Sequence, residues 1–279
     1  MIKRITSREN ALYKTLARLA ASSRERREAR AALLEGPHLV DAFRASGQTA
    51  DAVLASESGY AREELRRLVE ATPARTRVLL SDRLFDALAH VETPTGILAV
   101  VRTPEETGLP DQLKTCLLLE GIQDPGNLGS ILRTAVAAGL RQAFLAKGCA
   151  FAWSPKVLRA GQGAHFALDI HEGAPLAAVA ARFPGTVMAT DPHAADSIFD
   201  ADLTGPVAWI FGAEGAGISP ELAATATGKA RIPMPGRTES LNVDAAVAVC
   251  LFEQLRQRSV GRTNADPMDR AHGASRHPG

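Results

Sequence analysis

Read by its apolar positions, the chain opens with a helical rhythm. Leu12, Leu16 and Leu19 recur on one side of residues 8–21, the spacing of an amphipathic α-helix. Ser22-Ser23 breaks that rhythm, and Ser23 is placed to cap a second, charged helix reaching about Arg30. Short apolar runs follow at 32–35, 52–55, 77–80 and 96–101, with helical stretches at 37–46, 60–71 and 82–89 between them. This alternation predicts a small α/β unit of about 100 residues. Residues 102–111, RTPEETGLPD, are polar and rich in Pro and Gly, a composition that marks a boundary.

Beyond the boundary the alternation restarts. Strands are predicted at 115–120, 142–146, 165–170, 186–190, 206–211 and 230–234. Helices are predicted at 128–138, 154–160, 175–183, 219–226 and 241–258. Strand-helix alternation with few hairpin turns predicts a parallel sheet covered on both faces. From Gly261 the chain is polar and reads as a mobile tail. The expected division is therefore a unit at 1–104, a linker at 105–112, a second unit at 113–260 and a tail at 261–279.

Composition narrows the class. The 279 residues are 46% hydrophobic and 23% charged, the balance of an ordinary globular protein. A disordered, collagen-like or coiled-coil chain is excluded. No apolar run reaches the roughly 18–20 residues of a membrane-spanning helix, so no membrane partner is expected. MIKRITSREN is basic without a following apolar segment, so no secretory signal is expected. Cys116, Cys149 and Cys250 are odd in number and far apart. They show no metal-type spacing and no evident disulfide set, which fits a reducing cytoplasm.

The net charge of +1 hides a gradient. Residues 1–35 carry nine Lys or Arg, among them Arg24, Arg26 and Arg27, against four acids. A basic arm of this kind is an electrostatic footprint for phosphates. It is equally a solvated helix face with i,i+4 ion pairs, and the charges alone leave both readings open.

Three segments of the second unit carry candidate chemistry. Each lies where a strand gives way to a helix, the edge at which open parallel sheets bind ligands. The first is EGIQDPGNLGSILR, residues 120–133. Asp124-Pro125-Gly126 is turn chemistry, and Asn127 is expected to cap a helix ending at Gly139. Ile131, Leu132, Ala135 and Val136 then face the core, with Arg133 on a different face. Alone, Asn127 reads as a cap and Arg133 as a solvated charge.

The second segment is WIFGAEGAGIS, residues 209–219. Its glycines permit close backbone approach to a ligand. Their spacing is not G-x-G-x-x-G, and Glu214 within the turn would repel a pyrophosphate, which argues against a dinucleotide site. The third is IPMPGRTESLN, residues 232–242, before an apolar helix. Ser240 or Asn242 is placed to cap that helix, and Asp244 in its first turn suits the helix dipole. There is no Walker A loop, no H-E-x-x-H and no G-x-S-x-G. His165, His171 and His193 are scattered and read as non-ligands, so no metal is expected.

The order NLGSILRTA, FGAEGAGIS, IPMPGRTESLNV resembles the three motifs of the SpoU/TrmH family, S-adenosylmethionine-dependent RNA ribose 2′-O-methyltransferases. This resemblance covers about residues 113–258. ITSRENALYKTL, with LLEGPHLV further on, is similar to the substrate-binding domain of bacterial members. The resemblance implies a parallel α/β sheet whose C-terminal part is threaded into a deep trefoil knot, in a homodimer whose partner chain completes each active site. It implies S-adenosylmethionine held largely by backbone groups at Gly212, Ile232 and Leu241, with Thr190 as a further candidate. Asn127, Arg133, Glu214, Ser240 and Asn242 match the family's polar active-site positions. Arg24, Arg26 and Arg27 would then contact RNA phosphates. RAGQGA at 159–164 departs from the family pattern, in which a Ser precedes the second small residue, and this touches RNA contacts rather than methyl transfer.

The family assigns removal of the ribose proton to Arg133. An arginine pKa lies above about 12, so two roles stay open: a base, or a charged group stabilising a developing alkoxide. The expected reaction is 2′-O-methylation of structured RNA. The separate N-terminal unit favours 23S rRNA by resemblance, with tRNA as the alternative. A non-catalytic RNA-binding assembly factor is the reading from another class, and the polar residues kept in all three motifs argue against it.

Overall fold

The computed structural model describes residues 2–105, 108–213, 215–237 and 240–265. Its strands fall into two sheets. The first holds β1 (Ile2–Ile5), β2 (Ala31–Glu35), β3 (Ala50–Ser56), β4 (Ala74–Leu80) and β5 (Ile97–Arg102), in the order β1-β4-β3-β5-β2. Its β1, β4 and β3 are parallel, and β5 is antiparallel to both β3 and β2. The second holds β6 (Cys116–Leu119), β7 (Gln142–Leu145), β8 (Asp169–His171), β9 (Thr186–Thr190), β10 (Val207–Phe211) and β11 (Gly228–Ala230). Their order is β11-β9-β10-β6-β7-β8, with every neighbouring pair parallel. The expected α/β fold with a parallel sheet is present. β6 and β10 lie at its centre, and CLLL and VAWIF are buried at every residue. An unbroken apolar run, rather than alternation, suits a strand covered on both faces.

Helices α1 (Ala11–Ala21), α2 (Ser23–Glu28), α3 (Pro37–Ala45), α4 (Glu57–Ala61), α5 (Glu63–Ala71) and α6 (Asp82–Asp86) accompany the first sheet. Helices α7 (Pro125–Ala137), α8 (Pro155–Gly161), α9 (Leu176–Arg182), α10 (Pro220–Ala223) and α11 (Val243–Ala265) accompany the second. Several boundaries differ from the sequence reading. Ser22, not Ser23, caps α2, accepting the Glu25 N–H. The helix expected at 60–71 breaks at Arg62, whose backbone is extended. Just before the break, Gly59 packs so closely that a Cβ there would lie 2.5 Å from the Gly96 carbonyl oxygen. The strand expected at 165–170 is a 3₁₀ turn at Ala164–Phe166 followed by β8. α11 runs past residue 258 to Ala265, so the start of the expected tail is helical. Residues 266–279 lie outside the described residues.

One apolar cluster runs through both sheets, joining Leu34, Phe43 and Ile97 to Leu117, Leu128, Trp209 and Val247. Phe43 meets Phe166 edge-on with ring centroids 5.4 Å apart. The connecting segment is tied down as well. The Thr103 N–H donates to the Arg30 carbonyl (3.0 Å), Arg30 pairs with Glu105 (2.6 Å), and Arg182 donates to the Pro110 carbonyl (3.2 Å). Among the described residues, no helix is long and apolar enough to cross a membrane.

His165 belongs to this shared core. It is 3% exposed, packs edge-on against Trp153 and hydrogen-bonds the Ala152 carbonyl through Nε2 at 2.8 Å. Its Nδ1 is buried with no partner among the described residues. Burial pushes its pKa down to about 4, because a charged imidazole there would lose its hydration. The unfolded chain therefore binds this proton more readily than the fold does. The stability that His165 contributes is complete above about pH 6.5 and is lost as pH falls toward about 4. Wild type minus His165→Gln, measured by urea unfolding, is expected to lose about 1.4 kcal/mol per pH unit across that window. A difference that stays flat from pH 7 to pH 4 contradicts the buried neutral form.

Candidate active site

Because all six strands of the second sheet are parallel, the turns after β6, β9, β10 and β11 emerge on one edge. The register sets them level: Thr190 pairs with Ala230, Ala189 with Ile210, and Phe211 with Leu119. Thr190 ends β9, Gly212 directly follows β10, and Ile232 lies two residues past β11.

Asp124, not Asn127, caps α7. Its carboxylate accepts the Asn127 N–H at 2.8 Å, and Pro125 opens the helix, where a missing N–H costs nothing. Asn127 is thereby placed in the first turn, with its side chain turned toward a distant loop. The Asn242 amide donates through Nδ2 to Asn127 Oδ1 at 3.3 Å, closing a contact across 115 residues. Asn242 also caps α11. Its Oδ1 accepts the Asp244 N–H and its carbonyl the Ala246 N–H, both at 3.0 Å. Ser240 is exposed two residues earlier. Gly121, Asp124, Asn127, Ala213 and Val243 line a cleft of about 250 Å³ here.

The loop after β10 is fixed by its own backbone. A Cβ at Gly212 would lie 2.1 Å from the Gly217 carbonyl oxygen. Ala213 and Gly217 exchange two backbone hydrogen bonds, 3.1 and 2.9 Å long. Gly215 and Gly217 have φ of +87° and +67°, where side chains are strained. Glu214 lies outside the described residues. Glu120, which the motif reading passes over, anchors the loop's far end. Its carboxylate accepts the Ser219 N–H at 2.7 Å and the Ser219 hydroxyl at 2.8 Å. The sequence signal for it is a carboxylate directly after the buried run CLLL.

Past the strand ends on this edge the chain carries a half-buried Ile232, and next to Asn242 a Leu241 that is 40% exposed. Thr190 is half-buried. Exposed aliphatic surface next to strand-end backbone groups suits a ligand with a flat apolar ring and polar substituents. Arg133 stands apart from the Asn127–Asn242 contact. It is exposed on α7, about 9 Å along the axis from Asn127 and about 120° around it.

The three arginines expected to meet RNA have three different environments. Arg26 is 6% exposed and turned inward, where Nη1 donates to the Leu19 and Ala20 carbonyls at 2.7 and 2.9 Å. It satisfies acceptors at the end of α1, so the reading of Arg26 as an RNA contact is corrected. Arg24 is exposed and paired with Glu28 at 2.6 Å. Arg27 lies over the Phe151 ring, 4.2 Å from its centroid. The three thiols are unpaired, and burial pushes Cys116 and Cys250 up to about 12, which makes them poor nucleophiles. No group of three or more His, Cys, Asp or Glu among the described residues is arranged to hold a metal ion.

The model of the SpoU rRNA Methylase family matches residues 114–252, and that of the MRM3-like substrate binding domain matches residues 10–99. The chain is 32% identical over 258 residues to the 23S rRNA (guanosine(2553)-2′-O)-methyltransferase RlmP of Bacillus subtilis, covering 90% of this chain and 98% of the relative. It is 32% identical over 273 residues to a protein of Synechocystis named an uncharacterized tRNA/rRNA methyltransferase, covering 94% and 97%. The SpoU methyltransferase AviRb from Streptomyces viridochromogenes, solved with AdoMet, has a similar structure: TM-score 0.80, 26% identity, 90% of this chain and 99% of that one.

The loop geometry gives a direct test. Gly212→Ala is expected to cost about 1–3 kcal/mol in urea unfolding, because the added methyl overlaps backbone. Gly205→Ala, where a Cβ meets nothing within 4 Å, is expected to stay within about 0.5 kcal/mol of wild type. Equal behaviour of the two variants contradicts the described loop.

Proposed function

The chain belongs to the SpoU rRNA methylase family, and we propose that it methylates a ribose 2′-hydroxyl of 23S rRNA with S-adenosylmethionine. The observation that carries this reading is the Asn242–Asn127 hydrogen bond beside the Gly212 loop. It draws the first and third sequence segments together at the edge where the second emerges. The residues fit the cofactor: the close-packed backbone at Gly212 and the strand end at Thr190 offer polar groups on one edge, and Ile232 and Leu241 offer apolar surface for an adenine ring. When bound, S-adenosylmethionine supplies an electrophilic methyl group on a sulfonium whose departure leaves a neutral thioether.

The chain's own residues then have distinct tasks. Asn127, its Oδ1 engaged by Asn242, orients the ribose. Ser240, exposed two residues before Asn242, provides a further hydrogen-bonding group, and we assign Glu214 by its motif position to hold the arginine or a substrate hydroxyl. Arg133 acts in its charged form. Arginine stays protonated at neutral pH, and this one is exposed to water. Its guanidinium donates to the 2′-oxygen and stabilises negative charge as the hydroxyl proton departs to water or a neighbouring phosphate. Positioning supplies much of the rate, up to about 7–11 kcal/mol for well-oriented groups.

We assign residues 1–104 to RNA binding, 105–112 to the linker and 113–260 to methyl transfer, with the chain a homodimer in the cytoplasm. The three unpaired thiols support a reducing compartment. Support for the dimer comes from α11, which packs on α7 yet leaves Phe252 and Leu255 47% and 37% exposed. Because Arg133 stands apart from the Asn127–Asn242 contact, we assign completion of each active site to a second copy of the chain. Support for the knot comes from the C-terminal helix. Gln254 donates to the Leu203 and Gly205 carbonyls (3.4 and 3.2 Å), and Gln257 to that of Ala201 (3.0 Å). These contacts hold the chain between β9 and β10 beneath α11.

The deciding experiment is methyl transfer from labelled S-adenosylmethionine to separated rRNA and tRNA of cells lacking the protein, with nucleoside mass spectrometry of the product. A 2′-O-methyl nucleoside in the large rRNA is expected. A signal confined to tRNA overturns the substrate, and intact cofactor binding without any product makes the chain a non-catalytic RNA-binding factor. Arg133→Ala is expected to lose about 10²–10³-fold in rate with cofactor affinity kept; wild-type turnover would defeat its assignment.

A further inference from the structure

A second cavity, of about 900 Å³, opens between the two sheets. It lies at the carboxyl ends of β7 and β8, on the same edge as the candidate active site, and is closed from the other side by Arg27, Arg30 and the segment from Thr103 to Glu105. We propose that this crevice is a second RNA subsite, which takes a nucleotide flanking the methylated ribose. This rests on the reading that the chain methylates RNA.

Three features favour a nucleotide. First, the rim carries Arg27, Arg30 and Lys147. Among the described lining residues the acids are Glu105, paired with Arg30 at 2.6 Å, and Glu172, which accepts the Ala152 N–H at 2.9 Å, so three cations face two carboxylates. The surplus is cationic, as a phosphate requires. Second, Arg27 over the Phe151 ring forms a flat cation–aromatic surface of the kind on which bases stack without regard to sequence. Third, the volume falls within the roughly 300–1,000 Å³ of pockets that enclose small ligands.

Position makes the occupant a neighbour of the target. The Ala150 N–H donates to the Ile122 carbonyl at 2.8 Å, which fastens the loop bearing Phe151 to the turn lining the smaller cleft. β7 lies directly beside β6 and β8 beside β7, so cleft and crevice are separated by one or two strand spacings, on the order of 5–10 Å. One RNA strand can enter both. The cleft of about 250 Å³ has room for little beyond the reacting sugar. Binding to flanking nucleotides is the way such an enzyme holds the reacting group in place.

The test uses the full chain. A pentanucleotide with a central 4-thiouridine is photo-crosslinked, and the adducts are mapped by mass spectrometry. Adducts are expected within residues 145–153 or 171–175. Lys147→Glu and Arg30→Gln are expected to raise KM for the methylated RNA at least fivefold, with kcat and S-adenosylmethionine affinity within twofold of wild type. Adducts confined to other surfaces, together with wild-type KM in both variants, overturn the subsite. Binding of free nucleoside monophosphates in the crevice without oligonucleotide adducts also overturns it, in favour of a free nucleotide ligand. Crevice adducts without 2′-O-methyl product on any RNA sink the methyl-transfer reading and leave the RNA subsite standing.

Discussion

A sheet whose six strands all run parallel delivers every strand-to-helix turn to the same edge. The candidate chemistry depends on this constraint. Segments far apart in the chain, around residues 120, 190, 212 and 232, come level because the register of β6, β9, β10 and β11 leaves them no alternative. The buried strands hold that register, since slipping CLLL or VAWIF would tear central apolar residues from both faces. Polar contacts then finish the alignment. Glu120 grips Ser219, and Asn242 reaches Asn127.

The parts of the fold legible in the sequence are those where one physical demand dominates. β10 reads as a strand because it is apolar throughout. β1 escapes the same reading because IKRI lies at a sheet edge and buries only Ile5. Caps are harder, since Asp and Asn both cap well and only the helix geometry chooses between Asp124 and Asn127. Side-chain fate is harder again. Arg24, Arg26 and Arg27 are equivalent as letters, but a six-residue helix following α1 turns one inward to carbonyls, one to Glu28 and one onto Phe151. No local pattern distinguishes them. The three segments of the site are legible as motifs; for Glu120 the sequence shows only a carboxylate directly after CLLL, and its anchoring role becomes legible through a partner 99 residues away.

The apolar core does not stop at the boundary between the sheets. Phe43 meets Phe166, and a Cβ at Gly163 would lie 2.6 Å from that of Ala42. Such close packing transmits position, because dense interiors shift as units. The two sheets are thus held in a fixed relation by side-chain packing. The departure at RAGQGA lies at this junction. Gln162 ends α8 in a left-handed conformation, and Gly163 follows against Ala42. The residue types there answer first to packing between the sheets.

Residue 242 shows how two demands can fix one side chain. A helix cap asks for a short acceptor, which Ser, Thr, Asp or Asn can supply. The contact to Asn127 Oδ1 asks for a donor on the same side chain. Asp would cap α11 but has no proton to give, and its charge would oppose the carboxamide oxygen. A hydroxyl can accept and donate at once, but only from one atom on a shorter side chain, so both partners would have to converge on it. An amide separates them, with Oδ1 on the Asp244 N–H and Nδ2 on Asn127. Asp124 faces a single demand, an acceptor for the Asn127 N–H, and a carboxylate is enough. Through Asn242 the start of α11 and the floor of the cleft become one structural decision.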